Sequence, residues 1–254
     1  MALLEVKNLN RRFGGVHAVN AVSFSVREGA IKAVIGPNGA GKTTLFNLIS
    51  GALRPDSGEI LFDGKMIQGM KPYQIAIMGL ARTFQHVKLF SKMTALENVM
   101  IGRHIHSKAE FFSAMLHLPW TGREEKEIVD RSLEIMSFLG IEKMAHQEAT
   151  SLAYGQQRAV ELARAIACEP KLLLIDEPAA GLNIRETVQI AGLIGKIRER
   201  GITVLVVDHD MSLVMGISDE VVVLSYGVKI ADDAPLAVQK NMEVIRVYLG
   251  EEDA

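Results

Sequence analysis

Lys42 and Thr43 close the run Gly36-Pro37-Asn38-Gly39-Ala40-Gly41-Lys42-Thr43, in which two glycines bracket four residues before the lysine. This is the full GxxxxGK[ST] pattern of a phosphate-binding loop. Glycines at 36, 39 and 41 allow the backbone to turn its N–H groups inward as an anion nest, and the start of a following helix adds partial positive charge. Lys42 is then placed to reach β and γ phosphates, the Thr43 hydroxyl to ligate Mg2+, and Thr44 to continue the cradle. Two further groups suit such chemistry. Asp176-Glu177-Pro178 ends the apolar run Leu172 to Ile175, and Asp208-His209-Asp210 ends the run Val204 to Val207. Acidic residues at the carboxyl ends of central strands lie where open α/β sheets bind ligands. Asp176 suits magnesium, and Glu177 suits orientation or deprotonation of an attacking water. His209 stands after a strand, where a lone histidine is more often structural than catalytic.

The elements that must carry these residues are legible around them. Ile31 to Ile35 is an apolar strand leading into the loop, and Leu45, Phe46, Leu48 and Ile49 follow it at helical spacing. Upstream, Val22, Phe24 and Val26 alternate with Ser23, Ser25 and Arg27 as a half-buried strand, so the first 35 residues read as strands. Arg54 to Gly58 stops the loop helix, and Ile60 and Phe62 begin a short strand ending at Asp63-Gly64. Residues 86–150 differ in character. Helical stretches at Ala95 to Ile101 and Glu124 to Leu139, with Phe111, Phe112, Pro119 and Trp120 between them, predict a helical insert without strands. From Gln156 the alternation resumes with a helix to Cys168, the strand from Leu172, a helix to about Arg198, and a strand Ile202 to Val207. Strands Val221 to Leu224 and Val228 to Ala231 follow around Tyr226-Gly227, and Leu236 to Leu249 reads as one or two short amphipathic helices. The rhythm predicts an α/β fold with a mostly parallel sheet covered by helices.

Composition excludes several classes. The 254 residues carry 28 basic against 30 acidic side chains, a formal net charge of -2, which leaves no basic excess for a nucleic-acid footprint. Cys168 is the single cysteine, so no intrachain disulfide forms, and a reducing cytoplasm is the expected compartment. The amino-terminal residues have no signal-peptide core, and no apolar run reaches 18 residues, so neither secretion nor a membrane span is expected.

The loop, the Asp-Glu-Pro strand end and the late histidine together resemble the ATP-binding cassette (ABC) ATPases, and further markers stand in order. Gln85, in Arg82-Thr83-Phe84-Gln85, occupies the Q-loop position. Leu152-Ala153-Tyr154-Gly155-Gln156-Gln157-Arg158 stands at the signature position, 24 residues before Asp176, where the family usually has LSGGQ. Ala180-Gly181-Leu182-Asn183 stands at the D-loop, where Leu-Asp is commoner. Phe13 lies where the family places an aromatic that stacks on adenine. The resemblance covers essentially the whole chain. It implies a P-loop NTPase core with an antiparallel β subdomain and an inserted helical subdomain: residues 1–85 and 156–235 the core, 86–155 the helical subdomain with the signature, 236–254 a C-terminal helical extension.

By resemblance, such subunits pair so that each ATP lies between the phosphate loop of one and the signature of the other. Glu177, His209 and Gln85 would then be catalytic, with Gln85 joining Thr43 and Asp176 at the magnesium. Ala153, Gly155 and Gln156 would meet the nucleotide from across the interface. Gly155 is expected to open the helix from Gln156 to Cys168 so that its first amides face the γ-phosphate. Ala153 replaces the usual serine, and the missing hydroxyl would cost about 0.5 to 1.5 kcal/mol. Within the family, residues 82–90 and 93–99, the signature, Asp-Glu-Pro-Ala-Ala-Gly-Leu-Asn and the ending Val244 to Gly250 look like the ATPase subunits of branched-chain amino-acid importers. The ATPase of lipopolysaccharide export shares a similar Tyr-Leu-Gly ending and is the alternative. A soluble ABC ATPase would carry two cassettes or a coiled-coil insertion, and a P-loop kinase would not explain residues 152–158. The importer resemblance implies integral-membrane permease partners, a homologous second ATPase subunit or a second copy of this chain, an indirect link to a substrate-binding protein, and residence on the cytoplasmic face of the membrane. Val87, Leu89 and Phe90 either line a groove for the permease or pack the insert internally.

Overall fold

The computed structural model describes residues 1–85, 87–103 and 119–249. The chain divides into two compact units, residues 1–82 with 171–254, and residues 83–170. The division places the helix at 154–167 with the insert, whereas the sequence pattern assigned residues from 156 onward to the core.

The first unit holds two sheets. An antiparallel sheet runs in the order β2 (Val16–Arg27), β1 (Ala2–Phe13), β4 (Ser57–Phe62), β5 (Lys65–Met66). The second has six strands in the order β10 (Val228–Asp233), β9 (Glu220–Ser225), β3 (Ile31–Ile35), β8 (Thr203–Val207), β7 (Leu172–Asp176), β6 (Leu80–Arg82). All its pairings are parallel except β9 with β10. Every residue of β3, β7 and β8 is buried, as a strand covered on both faces requires. β2 instead buries Val22, Phe24 and Val26 and turns Ser25 and Arg27 outward, the alternation of a one-sided antiparallel strand. Helix α1 (Lys42–Ile49) sends Leu45, Phe46, Leu48 and Ile49 into a core shared with Leu4, Val19 and Phe24 of one sheet and Leu174, Leu205 and Val222 of the other.

Four short elements carry too little pattern to read from sequence. β5 and β6 have two and three residues, and β6 exists because Leu80 to Arg82 pair in register with Leu172 to Leu174. Helix α2 (Pro72–Ile77) starts on a proline and is capped by Gln74, which accepts from the Lys71 N–H at 2.9 Å. A seven-residue helix at Met211–Ile217 is capped by Asp210, whose carboxylate accepts from the Leu213 N–H at 3.0 Å. Lys32 of β3, 3% exposed, is paired with Glu220 at 3.1 Å and Asp232 at 2.7 Å. At the carboxyl-terminal end, the helices Pro235–Lys240 and Met242–Leu249 pack on β9 and β10. There the hydroxyl of Tyr248 accepts from the Gly36 backbone, and burial pushes it up to about 12.

In the second unit, α3 (Ala95–Arg103), α4 (Pro119–Leu139) and α5 (Tyr154–Ala167) pack on one another. The expected helices at 95 and 124 are present, the second beginning at Pro119. Phe111 and Phe112 lie outside the described residues, as does Gly250 at the chain's end. Among the described residues of the insert the only β pairing is a bridge between Thr94 and Glu148. Also among the described residues, no helix is long and apolar enough to cross a membrane.

Candidate nucleotide site

Parallel register places the chemistry-bearing residues of the first unit together. Val34 pairs with Val207, and Val207 pairs with Asp176 on its other side. The residues that follow each strand, Gly36 to Thr43, Glu177 and Asp208 to His209, therefore emerge side by side at the carboxyl edge of the sheet. The loop itself has the backbone of an anion nest. Gly36, Gly39 and Gly41 take φ of 150°, 81° and 99°, and Gly41 is the N-cap of α1, so the first helical amides face the loop interior. At Gly41 an ideal Cβ would stand 2.1 Å from the Ala18 carbonyl oxygen, and at Gly36 a Cβ would stand 2.2 Å from that of Leu224. Only glycine fits either position.

Lys42 is 7% exposed and donates from Nζ to the Gly36 carbonyl at 2.6 Å and the Pro37 carbonyl at 2.9 Å, which draws it along the loop. Burial pushes its pKa below the ordinary lysine value, against the pull of the Glu177 and Asp208 carboxylates. Thr43 is exposed, Thr44 half-buried, and Asn38 and Gly39 form the exposed tip between Pro37 and the buried Ala40.

Asp176 is 2% exposed, and its Oδ2 accepts from Arg82 Nη2 at 2.9 Å. The same guanidinium donates to Asn47 Oδ1 at 2.7 Å and Ser50 Oγ at 2.9 Å, tying the strand-end carboxylate to the back of α1. Arg82 was legible only as part of the stretch before Gln85. Its partners lie 32 to 94 residues away in sequence.

Glu177 is half-buried with φ of 45°, a left-handed conformation that a non-glycine residue seldom adopts. Its N–H donates to the Val207 carbonyl at 2.7 Å, and its own carbonyl accepts from Ala180 at 3.1 Å. Backbone held in this strained region clusters at functional sites. His209 is exposed. Its Nδ1 lies 3.7 Å from Asp208 Oδ1, and its N–H donates to the same oxygen at 2.7 Å. Phe13 ends β1, 45% exposed, with the Arg11 guanidinium carbon 4.9 Å from its ring centroid.

In the second unit, α5 begins at Tyr154 rather than at Gln156, so Gly155 lies within the first turn instead of opening the helix. The cause is Gln156, whose Oε1 accepts from the Ala153 N–H at 3.0 Å and so caps the helix start. Ala153, the N-cap, has no side-chain oxygen to return the bond. Ala153→Ser is therefore expected to complete a capping box and stabilise α5 by about 1 kcal/mol, raising the Tm by about 3 °C. Scanning calorimetry checks this, and a lower Tm would show that the hydroxyl does not cap. Turnover in the assembled complex is expected not to fall.

Arg158, 1% exposed, anchors the Q-loop to this helix. It donates to the carbonyls of Phe84 at 3.0 Å and Gln85 at 2.9 Å and pairs with Glu161 at 2.9 Å. Gln85 itself is exposed. Burial raises the pKa of Glu161 above the usual carboxylate value despite that partner. Arg158→Ala is expected to destabilise the protein by about 3–5 kcal/mol, because it leaves a buried carboxylate with only the more distant Arg164, 4.0 Å away. Urea denaturation reads the loss, and a change below 1 kcal/mol would contradict the burial argument. At the D-loop position, Asn183 caps the helix Ile184–Glu199 in a reciprocal box with Glu186, 3.1 and 3.0 Å. Aspartate serves that role equally, which accounts for the departure from the commoner Leu-Asp.

A glycine loop between strand and helix, flanked by strand-end carboxylates, defines a nucleotide-hydrolysing protein of the P-loop class. Residues 19–180 match the ABC transporter family, and the chain belongs to that family. It is an ATPase. The sequence is 44% identical over 250 residues, 98% of each chain, to the high-affinity branched-chain amino acid transport ATP-binding protein BraF of Pseudomonas aeruginosa. The same figures hold for the protein LivG of Escherichia coli, which carries the same description. Two crystal structures of ATP-binding cassettes from ABC transporters are similar across 99% of this chain and 100% of theirs at 32% identity. The nucleotide-free one gives a TM-score of 0.85 and the one in its ADP conformation 0.86.

Proposed function

We propose that this chain is the ATP-hydrolysing subunit that powers an importer of branched-chain amino acids from the cytoplasmic face of a membrane. The observation that carries this is the convergence of Gly36–Thr43, Asp176, Glu177 and His209 on one sheet edge, together with the likeness along the whole chain to BraF and LivG. Thr43 and Asp176 offer the hard oxygen donors that magnesium takes, one or two from protein with the rest from phosphate and water. Bound there, Mg2+ would neutralise charge on the phosphate oxygens.

Lys42 and the loop amides hold the phosphates, and Phe13 stacks on adenine. Glu177 orients the attacking water and takes its proton, while His209 stabilises charge on the γ-phosphate in the transition state. Ala153, Gly155 and Gln156 complete the site of a second ATPase subunit, which family resemblance makes a homologous chain rather than a copy. Val87 and Leu89 are half-buried and Phe90 is 51% exposed, which supports a surface for the permease subunits. Through that permease the ATPase would answer to a substrate-binding protein. The test is co-purification of the membrane partners followed by ATPase measurement with the binding protein present. Stimulation by leucine, isoleucine and valine is expected, and turnover indifferent to all three would overturn the substrate.

A further inference from the structure

We infer that Asp208 is a positioning residue that locks His209 and the turn following Glu177 into one arrangement. The inference rests on the roles proposed above for those two residues. Asp208 is fully buried at the end of β8, where an aspartate is among the least expected side chains. Both of its oxygens are engaged by backbone. Oδ1 accepts from the N–H groups of His209 at 2.7 Å and Asp210 at 2.9 Å, and Oδ2 accepts from the N–H of Ala179 at 2.9 Å. The first two bonds shape the turn that carries His209. The third reaches 29 residues back to the turn that carries Glu177. A single carboxylate thus fastens two loops from different strands, and its charge also attracts Lys42. Three backbone donors compensate a buried anion in a way that one amide oxygen cannot.

Asparagine has the same size but one acceptor oxygen, so Asp208→Asn sets an N–H donor against either Ala179 or the His209 turn. Glu177 and His209 then lose their common reference while the phosphate loop keeps its own backbone. The expected result in the assembled complex is an ATPase kcat at least about tenfold lower, with the Kd of the full chain for a fluorescent ATP analogue unchanged within twofold. Asp208→Glu, which retains both acceptors, is expected to recover part of the rate. A residue serving stability alone would lower the Tm and leave kcat of the folded fraction intact, and that outcome overturns the inference. Adding Asp208→Asn to His209→Ala is expected to slow the enzyme by less than Asp208→Asn does alone, because part of that loss runs through His209. Full multiplication of the two losses would show that Asp208 does not work through His209. Turnover untouched by His209→Ala and by Glu177→Gln would instead remove the proposed roles and the inference with them. Amide hydrogen exchange on the unaltered protein provides a readout that needs no variant. The Ala179 and His209 amides are expected to be protected although both lie in turns, and rapid exchange at Ala179 would overturn the link.

Discussion

Glu177→Gln is expected to slow ATP hydrolysis by about 10² to 10⁴ while leaving nucleotide affinity intact. The amide keeps the size of the side chain and can still accept a hydrogen bond from water, but it cannot take a proton at neutral pH. The backbone has no reason to move. Residue 177 is held at φ of 45° by its own N–H to Val207 and its own carbonyl to Ala180, neither of which involves the side chain. The variant is therefore expected to accumulate in the ATP-bound, closed pair of subunits, visible as an ATP-dependent shift to larger size in gel filtration. Phosphate release measured at saturating ATP checks the rate. Turnover at the unaltered level would remove Glu177 from the role of base and leave its strained backbone without a catalytic explanation.

Gly41→Ala is expected to damage both the fold and the phosphate loop. The position needs φ of +99°, and the new Cβ would stand 2.1 Å from the carbonyl oxygen of Ala18, with Gly227 Cα at 3.6 Å behind it. Backbone in β2 cannot swing aside as a side-chain end could. Left-handed strain of about 1–3 kcal/mol adds to overpacking of about 1–3 kcal/mol. Part of that sum appears as lost stability and part as a displaced loop, so affinity for ATP is expected to fall at least about tenfold, or 1.4 kcal/mol. Gly39→Ala is the paired control. That residue also has positive φ, 81°, but open space around its Cβ, so only the backbone strain remains. Titration with a fluorescent nucleotide ranks the two, and equal losses would show that the contact with Ala18 is not what demands glycine.

The placement of Asp208 changes how the strand-end cluster is understood. From spacing, Asp208 and Asp210 merely flanked a histidine. In the fold, Asp210 caps the next helix and Asp208 joins two turns, so the three residues divide into a cap, a brace and an exposed imidazole. The assignment depends on which neighbour each side chain meets.

How much was legible follows the same division. The phosphate loop, β3 and α1 were readable because the motif, the apolar strand before it and the helical spacing after it are contiguous. β7 and β8 were readable because a strand buried on both faces is a short apolar run. The start of α5 was misplaced by two residues because a glutamine at the third helical position, not a glycine, sets it. β6 and α2 are not legible because three and six residues carry no periodicity, and strand pairing or a proline start decides them.

Residue type and local order by themselves marked Lys42, Thr43, Asp176 and Glu177 as candidates for one chemistry at two strand ends, and His209 joined them only through the family resemblance. Only the tertiary structure decided what holds them there. Arg82 on Asp176, Arg158 under Phe84 and Gln85, and Asp208 on Ala179 are bonds between residues 29 to 94 positions apart, alongside the local ones from Arg158 to Glu161 and from Asp208 to the N–H groups of His209 and Asp210. A hydrogen-bonding carboxylate or guanidinium leaves no periodic trace in a chain. Its partners are chosen by strand order and register, and those are settled by burying β3, β7 and β8 in a single sheet.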